Sequence, residues 1–138
     1  RMGNFTREEI AEALRPIASL IGKSEKAQRK LAPGTWQHAM LEDNLRALAV
    51  ASALMNGEAA GFERESLLDA LRAINSMICR SEKAREMFPP GTSQHTLLKN
   101  RIKALRIASE LVEAAGGYPA APAARSSGAE DPTFPDIR

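Results

Sequence analysis

The sequence predicts an all-α protein: a tandem duplication of a helical hairpin that forms an up-down four-helix bundle, with a Pro/Ala/Gly-rich C-terminal tail. The first observation is an internal repeat. Residues 5–61 align with residues 62–118 without a gap, at an offset of 57, and 24 of the 57 aligned pairs are identical. A repeat of this length indicates a duplicated structural module. The second observation is a composition rich in Ala, Leu, Arg and Glu with only 4% aromatic residues, which favours helices over sheets.

We call residues 5–61 copy one and residues 62–118 copy two. A chain of 138 residues suits one compact domain. We therefore expect a single four-helix domain over residues 5–118. The composition of residues 119–138 shifts to Pro, Ala, Gly and Ser, which predicts an extended tail without helix. Phe134 in this tail is a candidate docking residue.

The first helix of each copy is predicted from a cap and an apolar stripe. Thr6 and Glu9 have the spacing of a capping box, and Phe5 precedes them as a hydrophobic staple. The stripe follows at helical spacing in copy one, and it recurs 57 residues later: Ile10, Leu14, Ile17 and Ile21, then Leu67, Leu71, Ile74 and Ile78. We predict helices over residues 5–31 and 62–88, which are continuous or only kinked near Gly22 and end before the prolines that follow.

The second helix of each copy is predicted to start at a Pro-Gly-Thr turn, where Thr35 or Thr92 caps it. Its apolar seam has spacings of four and three residues, at Leu41, Leu45, Leu48, Ser52 and Met55 and at Leu98, Ile102, Leu105, Ser109 and Val112. Asn56-Gly57 and Gly116-Gly117 are expected to end these helices. The six-residue connection 56–61 favours antiparallel neighbours, and hence the up-down topology.

Charge and cysteine content exclude few functional classes. The net charge is +2, which is too small to imply nucleic acid by itself. The lone Cys79 cannot form an internal disulfide, and no apolar run resembles a signal peptide or a membrane span. The sequence therefore predicts a cytoplasmic protein that does not act at a membrane.

A polar cluster is predicted at the end of the bundle that carries the Pro-Gly-Thr turns. Up-down topology brings both turns to one end, so we expect six residues to gather there: His38, His95, Gln37, Gln94, Ser24 and Ser81. One interpretation is a ligand or metal site, but two imidazoles lack the third protein ligand that zinc requires. The other is that these side chains are largely buried and satisfy backbone groups at the turns. We expect no metal and no cofactor.

A basic stripe marks the second helix of copy two. Lys99, Lys103 and Arg106 fall at spacings of four and three, with Arg101 nearby. Such a stripe can bind phosphates, which makes nucleic acid an alternative partner. Aromatic residues and a recognition motif are missing, however, and a solvated or ion-paired face is the competing interpretation.

The function that we predict is a non-enzymatic protein-interaction or scaffolding module, which self-associates as a homodimer. Trp36 is an aromatic residue at a helix start where copy two has Ser93, and Trp is a typical interface anchor, although a core role is also open. Catalysis is disfavoured because a Ser24–His38 pair lacks a third group to orient the base. Nucleic-acid binding, and then a small-ligand or metal site at His38 and His95, are the alternatives.

Overall fold

A computed structural model describes residues 4–58 and 61–117 of the chain. These residues form four α-helices: α1 (Arg7–Arg29), α2 (Trp36–Met55), α3 (Arg64–Arg85) and α4 (Ser93–Gly116). No β-strand occurs within these two ranges. The all-α fold class is therefore confirmed, while the predicted C-terminal tail, with Phe134, lies outside the described residues.

The helices form a four-helix bundle in which each helix packs against its neighbours along the chain and α1 closes the ring against α4. Within the described ranges α2 and α4 also touch across the centre, whereas α1 and α3 lie apart on opposite sides. This is the predicted up-down arrangement. α3 begins 57 residues after α1 and α4 begins 57 residues after α2, which is the offset seen in the sequence.

The helix starts follow local sequence signals. At Thr6 both bonds of the predicted capping box form: the Thr6 amide donates to Glu9 Oε1 at 2.8 Å, and the Glu9 amide donates to Thr6 Oγ1 at 3.1 Å. Thr35 and Thr92 cap α2 and α4 as predicted. Glu63, which replaces the threonine of copy one, makes no side-chain capping bond at the start of α3.

α1 and α3 end earlier than predicted, whereas α4 ends at the predicted glycines. α1 ends at Arg29 and α3 at Arg85, two or three residues before the predicted ends. Beyond these ends, backbone amides donate to carbonyls three residues earlier, for example from Leu31 to Gln28 at 3.0 Å. A tighter turn therefore replaces the last α-helical turn. α4 ends as predicted, with Gly117 in the left-handed conformation at φ 71°.

α1 is continuous through Gly22, as predicted, and it also contains Pro16 in its interior. Proline has no amide hydrogen, so the Glu12 carbonyl lacks its usual helical donor. The corresponding residue of α3 is Ala73.

The core is aliphatic, and every helix contributes to it. The largest fully buried side chains are Ile17, Leu48, Ile74, Leu105 and Val112. In α1 the buried stripe includes Ala13 and Leu20, whereas the predicted stripe residues Leu14 and Ile21 are only half-buried at its edge. The contact face of α1 is thus rotated slightly from the predicted one.

Candidate functional site

The two Pro-Gly-Thr turns lie at the same end of the bundle. We call this the turn end, and it comprises residues 30–35 and 86–92. In each turn the threonine amide donates to the carbonyl three residues earlier, from Thr35 to Ala32 at 3.3 Å and from Thr92 to Pro89 at 3.2 Å. Gly34 has φ 95°, which a type II turn requires at its third position and which glycine adopts without strain. The turns therefore hold the starts of α2 and α4 in fixed positions.

The six residues of the predicted polar cluster all lie in helices near the turn end, but no hydrogen bond joins their side chains within the described residues. Ser24 and Ser81 are buried, whereas His38 and His95 are half-buried and Gln94 is exposed. Both imidazoles are thus partly buried, and less completely than the two serines. His38 and His95 belong to the first turns of α2 and α4, where the bundle ends and no further layer covers them.

A different polar network forms beside His38. Gln28 Nε2 donates to the His38 carbonyl at 3.2 Å and to Glu42 Oε1 at 2.8 Å, and this links α1 to α2. Glu42 also lies 3.8 Å from Arg46, as an exposed pair one turn apart. Copy two has Arg85 and Lys99 where copy one has Gln28 and Glu42, so it cannot form the same network. The sequence analysis placed His38 in a polar cluster but missed its link to Gln28.

Metal ligands do not converge within residues 4–58 and 61–117. No group of three His, Cys, Asp or Glu side chains there is placed to hold an ion. Cys79 is a free, half-buried thiol in α3. The described residues thus contain neither a three-ligand metal site nor a pair of thiols.

The basic stripe of α4 is smaller than its sequence suggests. Lys99 and Lys103 are exposed, but Arg106 pairs with Glu82 of α3. Arg101 is only 3% exposed, so it belongs to the interior and is no part of a surface for nucleic acid. The prediction placed Arg101 beside the exposed stripe, whereas it lies four residues before the buried Leu105, on the side of α4 that faces the bundle.

Trp36 is exposed and is not a core residue. It is the first residue of α2 and is 48% exposed, while Met87, two residues beyond the end of α3, is 77% exposed. Met40 follows Trp36 by one helical turn on the same face, and Arg80 of α3 approaches its sulfur at 3.1 Å. Because α2 packs against α3, the start of α2 and the end of α3 are neighbours at the turn end. We call Trp36, Met40 and Met87 the Trp36 corner.

A third exposed apolar residue lies elsewhere. Leu97, 41% exposed, lines a groove between α1 and α4.

No helix within the described ranges is both long and apolar enough to cross a membrane.

Comparison of the chain with protein-family models found no match, and searches of curated proteins and of solved structures found none either.

Proposed function

We propose that this protein is a non-enzymatic interaction module that self-associates as a homodimer through the Trp36 corner. The observation that carries the proposal is the exposure of Trp36 at the turn end, which also carries the exposed Met87. Large apolar side chains held in water gain free energy when a partner covers them. Trp is moreover the residue type most enriched among the side chains that dominate binding energy.

Comparison of the two copies supports an intermolecular role for Trp36. Copy two has Ser93 at the same position, also as the first residue of its helix and also after a capping threonine. Ser93 begins α4 without any aromatic group, so neither the turn nor the helix start requires one. A twofold dimer would place the same corner of each protomer at the interface, because such an interface is self-complementary.

The sequence argument for the cytoplasm still applies to the proposed module. Cys79 has no second cysteine with which to pair, as is usual in a reducing compartment.

The experiment measures association by sedimentation equilibrium over a wide range of protein concentrations. We expect the wild type to form a dimer, and Trp36→Ser to weaken it by at least about 30-fold, the factor that corresponds to a hot-spot residue. Leu97→Ser is the matched control, because it removes an exposed apolar side chain on the α1–α4 side and should leave the dimer intact.

Fluorescence gives an independent readout, since Trp36 is the only tryptophan in the chain. Its emission should move to shorter wavelength as the protein dimerises and water leaves the indole ring. A wild type that stays monomeric at every concentration would refute self-association. So would a dimer that Trp36→Ser leaves unchanged.

A further inference from the structure

Arg101 is a buried charge without a partner. It lies in α4, 3% exposed, and its Nη1 atom has neither contact with water nor a hydrogen-bond acceptor among the described residues. The guanidinium remains protonated in proteins and carries five N–H donors. Burial lowers the pKa of Arg101 below the usual range. A buried charge in this state costs free energy until an anion pairs with it.

The positive charge of Arg101 also acts on another cation. The pKa of Lys23 in α1 is lowered, first by its partial burial and then by the positive charge of Arg101. No carboxylate within residues 4–58 and 61–117 forms an ion pair with Arg101. The lining of the groove between α1 and α4 holds three cations, Arg15, Arg101 and Lys103, against two carboxylates, Glu9 and Glu12, so its formal net charge is positive.

Arg101 lines the groove between α1 and α4, which has a volume of about 770 Å³. This is the size range of small-molecule sites. Beside Arg101 the wall is apolar, formed by Pro16 and Ala13 from α1 and by Ala104 and Ile107 from α4. Ser19 and Thr96 add hydroxyl groups. The rest of the lining carries charges of both signs, from Arg15 and Lys103 and from the carboxylates of Glu9 and Glu12. A ligand paired with Arg101 therefore meets an aliphatic wall beside its charged group.

The opposite groove, between α2 and α3, serves as an internal comparison. Its volume is about 730 Å³, and most of its lining residues are the 57-residue counterparts of those in the α1–α4 groove. There Asn44 replaces Arg101 and is buried to a similar degree. The bundle thus accommodates a neutral amide at this position, so packing alone does not call for a guanidinium.

We propose that the groove between α1 and α4 binds a small organic anion, with Arg101 as the partner of its charged group. The ligand class is a carboxylate or phosphate monoester with a short aliphatic chain. The charged head pairs with the Arg101 guanidinium, which suits planar or multivalent oxyanions. The chain lies against Pro16, Ala104 and Ile107.

The test is calorimetric titration of the full chain with four probes: octanoate, hexyl phosphate, inorganic phosphate and octanamide. We expect octanoate or hexyl phosphate to bind, and the two arms distinguish a carboxylate site from a phosphate site. Inorganic phosphate should bind at least tenfold more weakly than hexyl phosphate, because it leaves the apolar wall uncovered. Octanamide, which has the chain without the charge, should also bind at least tenfold more weakly than octanoate.

Arg101→Asn introduces the residue that copy one has at the equivalent position, and it should weaken binding of the organic anion at least tenfold. Arg46→Gln is the matched control, because it removes one positive charge from the opposite groove and should bind as the wild type does. Arg101→Lys keeps the charge and should retain part of the affinity. Thermal unfolding without ligand shows that the variants fold, and Arg101→Asn should unfold at a higher temperature than the wild type.

Three results would overturn the proposal. One is that neither organic anion binds the wild type. Another is that Arg101→Asn, folded by its thermal transition, binds the anion with unchanged affinity. The third is that octanamide binds as tightly as octanoate, since the groove would then recognise only the chain. None of these results depends on the state of association, so they leave the proposed dimer unaffected.

Discussion

Pro16 should destabilise α1, and replacing it with alanine should stabilise the protein. It is the tenth residue of α1, well inside the helix, and Ala73 is the tenth residue of α3. Proline at an interior helical position is about 3 kcal/mol less favourable than alanine, because it removes a hydrogen bond and its ring crowds the preceding turn. Pro16 is half-buried, and truncating its ring forfeits roughly 0.8 kcal/mol of apolar burial. Pro16→Ala should therefore raise the free energy of unfolding by about 2 kcal/mol.

Thermal unfolding followed by circular dichroism measures this effect. For a domain of this size, a gain of about 2 kcal/mol corresponds to a rise of roughly 6–10 °C in the midpoint. The matched variant is Ala73→Pro, which should lower stability by about 3 kcal/mol and markedly reduce the midpoint. An unchanged or lowered midpoint for Pro16→Ala would refute the reasoning, since the proline would then carry no net cost. The reasoning would also be refuted if Pro16→Ala and Ala73→Pro shifted the unfolding midpoint by the same amount in the same direction.

Two further predictions concern the alternative functions. Since Arg101 is buried and Arg106 is paired, we expect no nucleic-acid binding tighter than about 10⁻⁶ M at physiological salt. Gel-shift titration at two salt concentrations, with Lys99→Glu as the variant, checks this expectation. Tight, salt-sensitive binding that Lys99→Glu abolishes would establish nucleic acid as the partner. We also expect less than stoichiometric zinc in the purified protein by elemental analysis, because His38 and His95 have no third ligand among the described residues. Stoichiometric zinc that disappears in the His38→Ala, His95→Ala double variant would contradict the prediction.

The fold was predictable because its signals are local and occur twice. The Thr6–Glu9 capping box, the capping threonines and the glycines after α2 and α4 each lie within a few residues of the boundary they determine. The ends of α1 and α3 were less predictable. A proline limits how far a helix can extend, but the last α-helical turn can convert to a tighter one before that limit is reached.

The candidate site was predicted less well, because charge was assigned without regard to helical phase. Lys99, Lys103 and Arg106 have the spacing of one face, whereas Arg101 falls among Leu98, Ile102 and Leu105, on the seam that the same periodicity assigns to the core. The repeat carries the same signal, since it aligns Arg101 with Asn44, a second polar residue at an interior position. The hydrogen bond between Gln28 and Glu42 joins two helices, and no local spacing predicts such a contact.

Three differences between the copies stand out because one member of each pair is costly to the fold. They are an exposed indole, a buried unpaired guanidinium and a proline inside a helix, at Trp36, Arg101 and Pro16. At each of these positions the other copy builds the same element with serine, asparagine or alanine, so the element itself does not require the costly residue.

The three costly residues do not mark one site. Pro16 and Arg101 line the same groove. Trp36 begins α2, which does not border that groove. Since substitutions at separate sites without shared partners act additively, Trp36→Ser and Arg101→Asn should combine without coupling. Dimerisation and anion binding can therefore each be tested in the background of the other variant.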